Sequence, residues 1–321
     1  MRIIVLGIGA VGGTVAAALA LAGHEVVGIA RGAQLMAVRE RGLKLRSPGD
    51  EQVARFECVG SPAEVRFRPD DAIVLATKTQ HTDEALKQLA AAGVTNKPIF
   101  CAQNGVENER LALRRFPNVH GVTVMLPADF LVPGEVAAFG APRHGIFDIG
   151  RFPSGADDAD EALAEALTLA GIEGFVEPEV MKGKYGKLLM NLYNVVEAAL
   201  GPDCDGGEIR SALRAEGEAV LAAAGIEWRD VGSDPRREKL MTIQEIPGVD
   251  RTGSSSTQSI ARGAGSIESD YLNGEIVLLG RLHGVPTPLN AGFGRLGARL
   301  VREGLRPGSI DREEVRATLG V

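Results

Sequence analysis

Cysteine is scarce in this chain: Cys58, Cys101 and Cys204 are the only three in 321 residues, and no two form a CxxC pair. An odd count without ligand spacing points to a reducing compartment and to no structural metal site. Long apolar runs are missing, and none approaches the roughly 20 residues that a membrane span needs. The first residues lack a basic stretch and a cleavage site, because a strand pattern begins at once. There is no excess of positive charge. The formal net charge is −7 and the arginines are scattered, which argues against a nucleic-acid partner. His24, His81, His120, His144 and His283 have no partner at a fixed offset, so each is expected to be structural or on the surface. No internal repeat is seen. The expectation is a soluble cytoplasmic protein, long enough for two cores and free of any membrane association.

The informative part of the sequence is its beginning. Arg2-Ile3-Ile4-Val5-Leu6 runs straight into Gly7-Ile8-Gly9-Ala10-Val11-Gly12. The pattern predicts a strand, a glycine turn, a helix from Ala10 to Leu21 that stops at Gly23, and a second strand from Glu25 to Ala30. Gly7 permits a tight turn because it tolerates φ > 0 without a Cβ clash. Gly9 leaves room for a pyrophosphate, and Gly12 lets the helix pack close to the strand. The first amides of the helix are unsatisfied and its dipole favours an anion. Gly7, Ile8, Gly9, Ala10, Val11 and Gly12 are therefore the expected cradle of a dinucleotide. Glycine is plentiful here, at 41 residues, so a plain turn in an α/β core stays open as the alternative. The second strand ends Ile29-Ala30-Arg31-Gly32, without the carboxylate that would hold a ribose 2′-hydroxyl. Arg31 is placed to meet a 2′-phosphate, so NADP is the expected cofactor; a solvated arginine is the alternative.

Strand and helix patterns alternate through the first half. Asp71 to Thr77 reads as a buried parallel strand with Lys78 just beyond it, followed by a helix from Thr82 to Ala92. A strand from Pro98 to Ala102 runs into Gln103-Asn104-Gly105, and a helix around Val106 to Arg115 precedes a strand from Val119 to Leu126. Lys78 and Asn104 fall at carboxyl ends of strands, where doubly wound sheets bind ligands. Around Pro133-Gly134-Glu135 a hairpin is expected, and Asp157 to Ala170 is a helix. Beyond Pro178 strands are expected to cease, with helices at Glu179–Leu200, Glu208–Ala224, Arg236–Glu245 and Ile267–His283. Gly253-Ser254-Ser255-Ser256-Thr257 suits a flexible loop. The fold class is thus α/β: a Rossmann-type doubly wound sheet over 1–178, binding NADP, then a mostly α-helical substrate domain over 179–321.

A second constellation lies in that helical half. Lys187, Asn191 and Asn194 stand at i, i+4 and i+7, which aligns them on one stripe of a helix. Asparagine is a poor helix former, and a solvent face would more often carry Glu, Gln, Arg or Lys. An ammonium with an ordinary pKa of about 10.4 can hydrogen-bond the oxygen that gains charge when a ketone is reduced, and can protonate it. Asparagine amides can orient a carbonyl or hydroxyl without adding charge. Glu268 and Asp270 open a further cluster, for which charge-capping of a helix start is the plain reading.

Together these residues resemble the ketopantoate reductase (2-dehydropantoate 2-reductase) family over almost the whole length. The carriers are Gly7-x-Gly9-x-x-Gly12, Arg31, Lys78, Gln103-Asn104-Gly105, Lys187-Leu188-x-x-Asn191, Ser256 and Glu268-x-Asp270-Tyr271-x-Asn273-Gly274. The resemblance implies NADPH-dependent reduction of 2-ketopantoate to pantoate. It implies Lys187 as general acid and Glu268 as a residue that holds substrate and influences the lysine. Asn104, Asn191 and Ser256 would position substrate, with Asn194 as a further candidate, while Arg31 and Lys78, with Asn104, would contact the cofactor. A homodimer is compatible with it. Four departures fall in substrate-contact regions: Val195 where the family tends to have a second helix asparagine, Gly253 where an asparagine often precedes the serine, Met125 to Phe130, and Phe139-Gly140 in place of a more polar turn. These leave a different 2-oxo acid as a competing substrate. A β-hydroxyacid dehydrogenase and a non-catalytic nucleotide-sensing module are the other competing readings.

Overall fold

The structure is a computed structural model that describes residues 1–202 and 206–319, so Cys204 lies outside the described residues. Its strands are β1 (Arg2–Leu6), β2 (Val26–Ile29), β3 (Leu43–Ser47), β4 (Asp50–Ala54), β5 (Glu57–Val59), β6 (Asp71–Leu75), β7 (Ile99–Cys101), β8 (Val119–Met125), β9 (Ala128–Val132), β10 (Glu135–Ala138), β11 (Gly140–Pro142), β12 (Gly145–Arg151), β13 (Ile172–Val176) and β14 (Met241–Ile243). Its helices are α1 (Ala10–Leu21), α2 (Gly32–Arg41), α3 (Thr82–Ala91), α4 (Asn108–Leu113), α5 (Asp158–Leu169), α6 (Val180–Asn191), α7 (Asn194–Leu200), α8 (Gly207–Ala223), α9 (Pro235–Leu240), α10 (Ser255–Ala261), α11 (Asn273–His283), α12 (Pro288–Arg302) and α13 (Arg312–Leu319). Among the described residues no helix is long and apolar enough to cross a membrane.

The chain forms two compact units. The first comprises Met1–Lys184 and Ser233–Asp250, and the second Tyr185–Gly232 and the residues from Arg251 onward. The division falls inside α6 rather than at residue 178, and the segment 233–250 returns to the first unit.

The first unit is built on a sheet of order β13-β12-β8-β7-β6-β1-β2-β5, parallel except where β12 meets β8. Alternation along β1 explains why both faces are covered. Ile3 and Val5 join Val15 and Leu19 of α1 on one side, while Ile4 and Leu6 join Leu86 and Leu89 of α3 on the other. The predicted hairpin is present as β9 and β10, turning at Gly134 with φ +88°. It belongs to a second sheet, β4-β3-β10-β9, whose β3–β4 half the sequence reading did not identify. Strands do not cease after Pro178. Met241–Ile243, expected inside a helix, pairs antiparallel with Gly140–Pro142, because backbone pairing outweighs a weak helical pattern.

The second unit is helical in its described residues, with α12 packed on α7, α8 and α11. Leu188, Leu192, Val196, Leu213, Val220, Ile276, Phe293 and Leu300 are all buried there. Two expected helices are interrupted. The one over 179–200 breaks at Leu192–Tyr193 into α6 and α7, and the one over 267–283 begins as a 3-10 turn, Glu268–Tyr271, before α11. The serine-rich stretch is no loop: Ser254 caps α10, accepting from the Thr257 amide.

A buried ion pair pins the central register. Arg2 of β1 stands opposite Asp71 of β6 and binds it with both Nε and Nη2, at 2.7 and 2.8 Å. Burial alone would raise the Asp71 carboxyl, but the bonds from Arg2 and the Arg68 amide hold it below its ordinary range. A depressed carboxylate stabilises above its unfolded pKa, about 3.9, and loses that contribution as pH falls through the lower folded value. Asp71→Asn should therefore cost about 3–5 kcal/mol near neutrality, because Arg2 is left buried and unpaired. Urea unfolding should show the gap to the parent narrowing below about pH 4. A gap independent of pH would contradict this account.

Candidate active site

In the sheet order, β7, β6, β1 and β2 are consecutive neighbours, and each carries a predicted site residue at its carboxyl end. After β1 comes the glycine turn. Gly7 has φ +104°, and a Cβ there would lie 2.9 Å from the backbone of Ala76 and Thr77. A Cβ on Gly12 would lie 2.1 Å from the Gly7 carbonyl, so α1 packs directly onto the turn. Gly9 differs: it caps α1, and nothing lies within 4 Å of a Cβ placed on it. The first turn of α1 contains no acidic side chain and its cap residue makes no side-chain bond, which leaves its amides available. Ile8, Ala10 and Val11 complete the turn. Gln34 of α2, missed by the sequence reading, fixes it by donating to the Ile8 carbonyl at 3.0 Å and accepting from the Gly134 amide.

Arg31 caps α2 just past β2; it is exposed, and its guanidinium makes no bond with the described residues. Lys78 lies past β6, half-buried, and caps the short turn Thr79–His81. Asn104 follows β7. Its backbone is fastened, since its carbonyl accepts from Asn108 Nδ2 at 3.1 Å and from the Thr79 hydroxyl, while its own amide binds none of the described residues. Gln103, Thr82 and Asn108 continue that network, with Gln103 donating to Thr82 and Thr82 to Asn108, both at 2.8 Å. The i, i+4 relation of Asn104 and Asn108 was the available signal.

Beneath this loop lies a second buried pair. Lys184 of α6, 2% exposed on its side chain, meets the fully buried Glu109 at 2.5 Å. The same ammonium donates to the carbonyls of Cys101, Gln103 and Val122. Burial raises the Glu109 carboxyl despite the opposing effect of Lys184, and burial together with Glu109 pushes the Cys101 thiol well up. Cys101 is thus an inert core thiol.

The second unit carries the other predicted residues. Lys187 is half-buried on α6, and Asn191 lies four residues further on the same helix, 5% exposed. The Asn191 Nδ2 is buried and has no hydrogen-bond partner among the described residues. Such a donor is unfavourable unless a ligand or solvent group completes it. Ser256 is buried near the start of α10, and its hydroxyl binds none of the described residues. Glu268 is buried in its 3-10 turn, whereas Asp270 is exposed.

Asn194 departs from expectation. The break at Leu192–Tyr193 places it at the start of α7, so it does not share a continuous helical stripe with Lys187 and Asn191. Its carbonyl accepts from Ser254. Val195 belongs to the core, close against Gly297. Gly253 is also explained. It has φ +110°, and a Cβ there would lie 2.4 Å from Glu197 Oε1, the carboxylate that binds the Ser254 amide and the Thr257 hydroxyl.

His120 is fully buried between Asp160 at 2.7 Å and Asn118 at 3.0 Å. The neighbouring Asp157 binds Arg151 and forms a capping box with Asp160 at the start of α5. The arrangement anchors a helix, the structural role expected of this histidine.

Residues 3–154 match the family model described as ketopantoate reductase PanE/ApbA, and residues 179–297 match that described as ketopantoate reductase PanE/ApbA C terminal. The 2-dehydropantoate 2-reductase of Mesorhizobium japonicum is 30% identical over 322 residues, covering 90% of this chain and 94% of its own. That of Pyrococcus abyssi is 28% identical with the same coverage. A crystal structure of a PanE/ApbA family ketopantoate reductase from Ralstonia eutropha JMP134 is 26% identical, with a TM-score of 0.77 over 95% of this chain and 99% of that one.

The glycine geometry gives a contrast testable on the protein alone. Gly12→Val must displace the Gly7 carbonyl and should cost about 1–3 kcal/mol or more, lowering Tm by several degrees. Gly9→Ala enters open space and should leave Tm within about 1–2 °C. Equal effects of the two in differential scanning calorimetry would refute the packing described for α1.

Proposed function

Because the chain belongs to the ketopantoate reductase PanE/ApbA family, and is thereby an oxidoreductase acting on CH–OH, we propose that it uses NADPH to reduce the keto group of 2-dehydropantoate, giving pantoate. The observation that carries this reading is the buried Asn191 Nδ2, unpaired among the described residues and one helical turn from Lys187. It is a donor waiting for an oxygen, next to a residue able to give a proton.

The first unit suits a nicotinamide dinucleotide. The open Gly9 position and the available α1 amides would hold its pyrophosphate. Arg31, whose guanidinium binds none of the described residues, would take the 2′-phosphate, and Lys78 and the Asn104 amide would complete the contacts. When bound, the nucleotide supplies the hydride. The second unit supplies what remains. Lys187 donates a hydrogen bond to the keto oxygen and passes it a proton as the oxygen gains charge, then recovers a proton from solvent. Asn191 orients that oxygen without adding charge. Ser256 offers its hydroxyl to the substrate carboxylate, and Asn194 offers its amide to the substrate. The buried Glu268 carboxylate would hold the substrate and influence Lys187.

Steady-state assays with a panel of 2-oxo acids, each with NADPH and NADH, test the proposal. Ketopantoate with NADPH should give the highest kcat/KM; faster turnover of another 2-oxo acid would remove the assigned substrate. Dinucleotide binding without turnover of any oxo acid would favour the nucleotide-sensing reading. Lys187→Ala should lower kcat by about 10²-fold or more while changing the NADPH Kd less than about threefold. A surviving kcat would remove Lys187 as the acid. Arg31→Ala should raise KM for NADPH about tenfold and leave KM for NADH nearly unchanged. Equal effects on the two nucleotides would refute the 2′-phosphate role.

A further inference from the structure

Asn273 belongs to the Glu268 to Gly274 string, yet the chemistry above gives it no part. It is 1% exposed, at the first residue of α11. Its Nδ2 donates to the Leu192 carbonyl and to Asn290 Oδ1, both at 3.0 Å. Leu192 follows Asn191 directly and lies at the break between α6 and α7. A helix that stops here leaves carbonyls without intrahelical donors, and a buried carbonyl needs a partner. A side-chain amide from α11 provides it.

The chain of bonds continues. Asn290, fully buried near the start of α12, donates through Nδ2 to the Leu213 carbonyl of α8 and to Glu216 at 2.8 Å. Glu216 also accepts the amides of Leu289 and Asn290, at 2.9 and 3.0 Å. Three donors therefore converge on one carboxylate, which fixes the Asn290 carboxamide so that its oxygen is presented to Asn273. Close packing limits how α6 can relax. A Cβ on Gly217 of α8 would lie 2.5 Å from Leu189, and one on Gly186 would lie 1.7 Å from the Arg229 carbonyl. With contact on those sides, the end of α6 is set by the bond at Leu192.

We infer that Asn273 is a positioning residue that fastens the α6–α7 break to α11 and α12 and thereby sets the orientation of Asn191 and Lys187. The inference rests on the reading of Lys187 as proton donor. Asn273 touches no reacting atom. It acts through Leu192, and Glu216 acts one step further out through Asn290. A displacement of about 1 Å in a reacting group can reduce a rate about 10²-fold, so a single buried amide bond is enough to matter.

Asn273→Asp keeps size and removes the donor. In single-turnover stopped flow with NADPH and the preferred 2-oxo acid of the panel, its rate constant for hydride transfer should fall about 10- to 100-fold. The NADPH Kd should change less than about threefold, because the glycine turn is untouched. Glu216→Gln, which loosens Asn290, should give a smaller fall of the same kind and stands in if Asn273→Asp does not fold. A structural role alone would lower Tm and the amplitude of the turnover while leaving the rate constant of the folded fraction unchanged; that result overturns the inference. Lys187→Ala run in parallel separates the two readings. If it abolishes turnover while both other variants stay within twofold of the parent, the positioning role alone falls. If Lys187→Ala retains full activity, the proton-donor reading falls and takes this inference with it.

Discussion

A sheet covered on both faces has nowhere to do polar chemistry except at its ends. That constraint shapes the first unit. Ile3 and Val5 are committed to one layer, Ile4 and Leu6 to the other, and the same division runs through β6 and β7. What remains is the row of turns beyond the strands, with Arg31, the glycine turn, Lys78 and Asn104 following β2, β1, β6 and β7 in sheet order. Neighbouring strands lie about 4.8 Å apart, so these turns line one continuous edge. The side chains behind that edge are largely occupied with holding it. Gln34 fixes the Ile8 carbonyl, Asn108 and Thr79 fix the Asn104 carbonyl, and the buried Lys184 gathers three more carbonyls around Glu109.

The second unit meets a different constraint. Helices satisfy their own backbones except at ends and breaks, and a buried break needs donors from elsewhere. Here they come from side-chain amides, and a carboxylate orients one of them. Polar atoms in a helical core are expensive unless paired, and among the described residues two amide atoms of this core, Asn191 Nδ2 and Asn273 Oδ1, have no partner. A buried donor left unpaired among the described residues, one helical turn from a lysine, is a chemical signal of its own, independent of any family likeness.

The glycine turn was legible because each glycine answers to local sterics that any sequence with this spacing must obey. α1 occupies the residues expected of it, Ala10–Leu21. That Lys187 and Asn191 share one uninterrupted helix was legible for the same reason. Asn194 was not, because the helix breaks at Leu192–Tyr193, where the Leu192 carbonyl accepts from Asn273 some eighty residues away, and periodicity cannot register a bond from another element. β14 escaped for a related reason: its identity depends on pairing with β11, a hundred residues earlier. The serine stretch looked like low complexity, yet Ser254 caps a helix and Glu197 occupies the space that Gly253 vacates.

The excursion of residues 233–250 bears on how this chain can be divided. The polypeptide passes between the units at three places, after Lys184, Gly232 and Asp250, so only by keeping all three crossings does each unit retain its full complement of chain. A fragment ending near residue 184 would carry β11 without β14 and leave that main-chain edge bare, open to pairing with another molecule. A fragment beginning there would carry β14 with nothing to pair against. The two halves are thus interleaved rather than strung in series, and a domain swap or fusion would have to exchange the helical unit as an insertion interrupted by a borrowed strand.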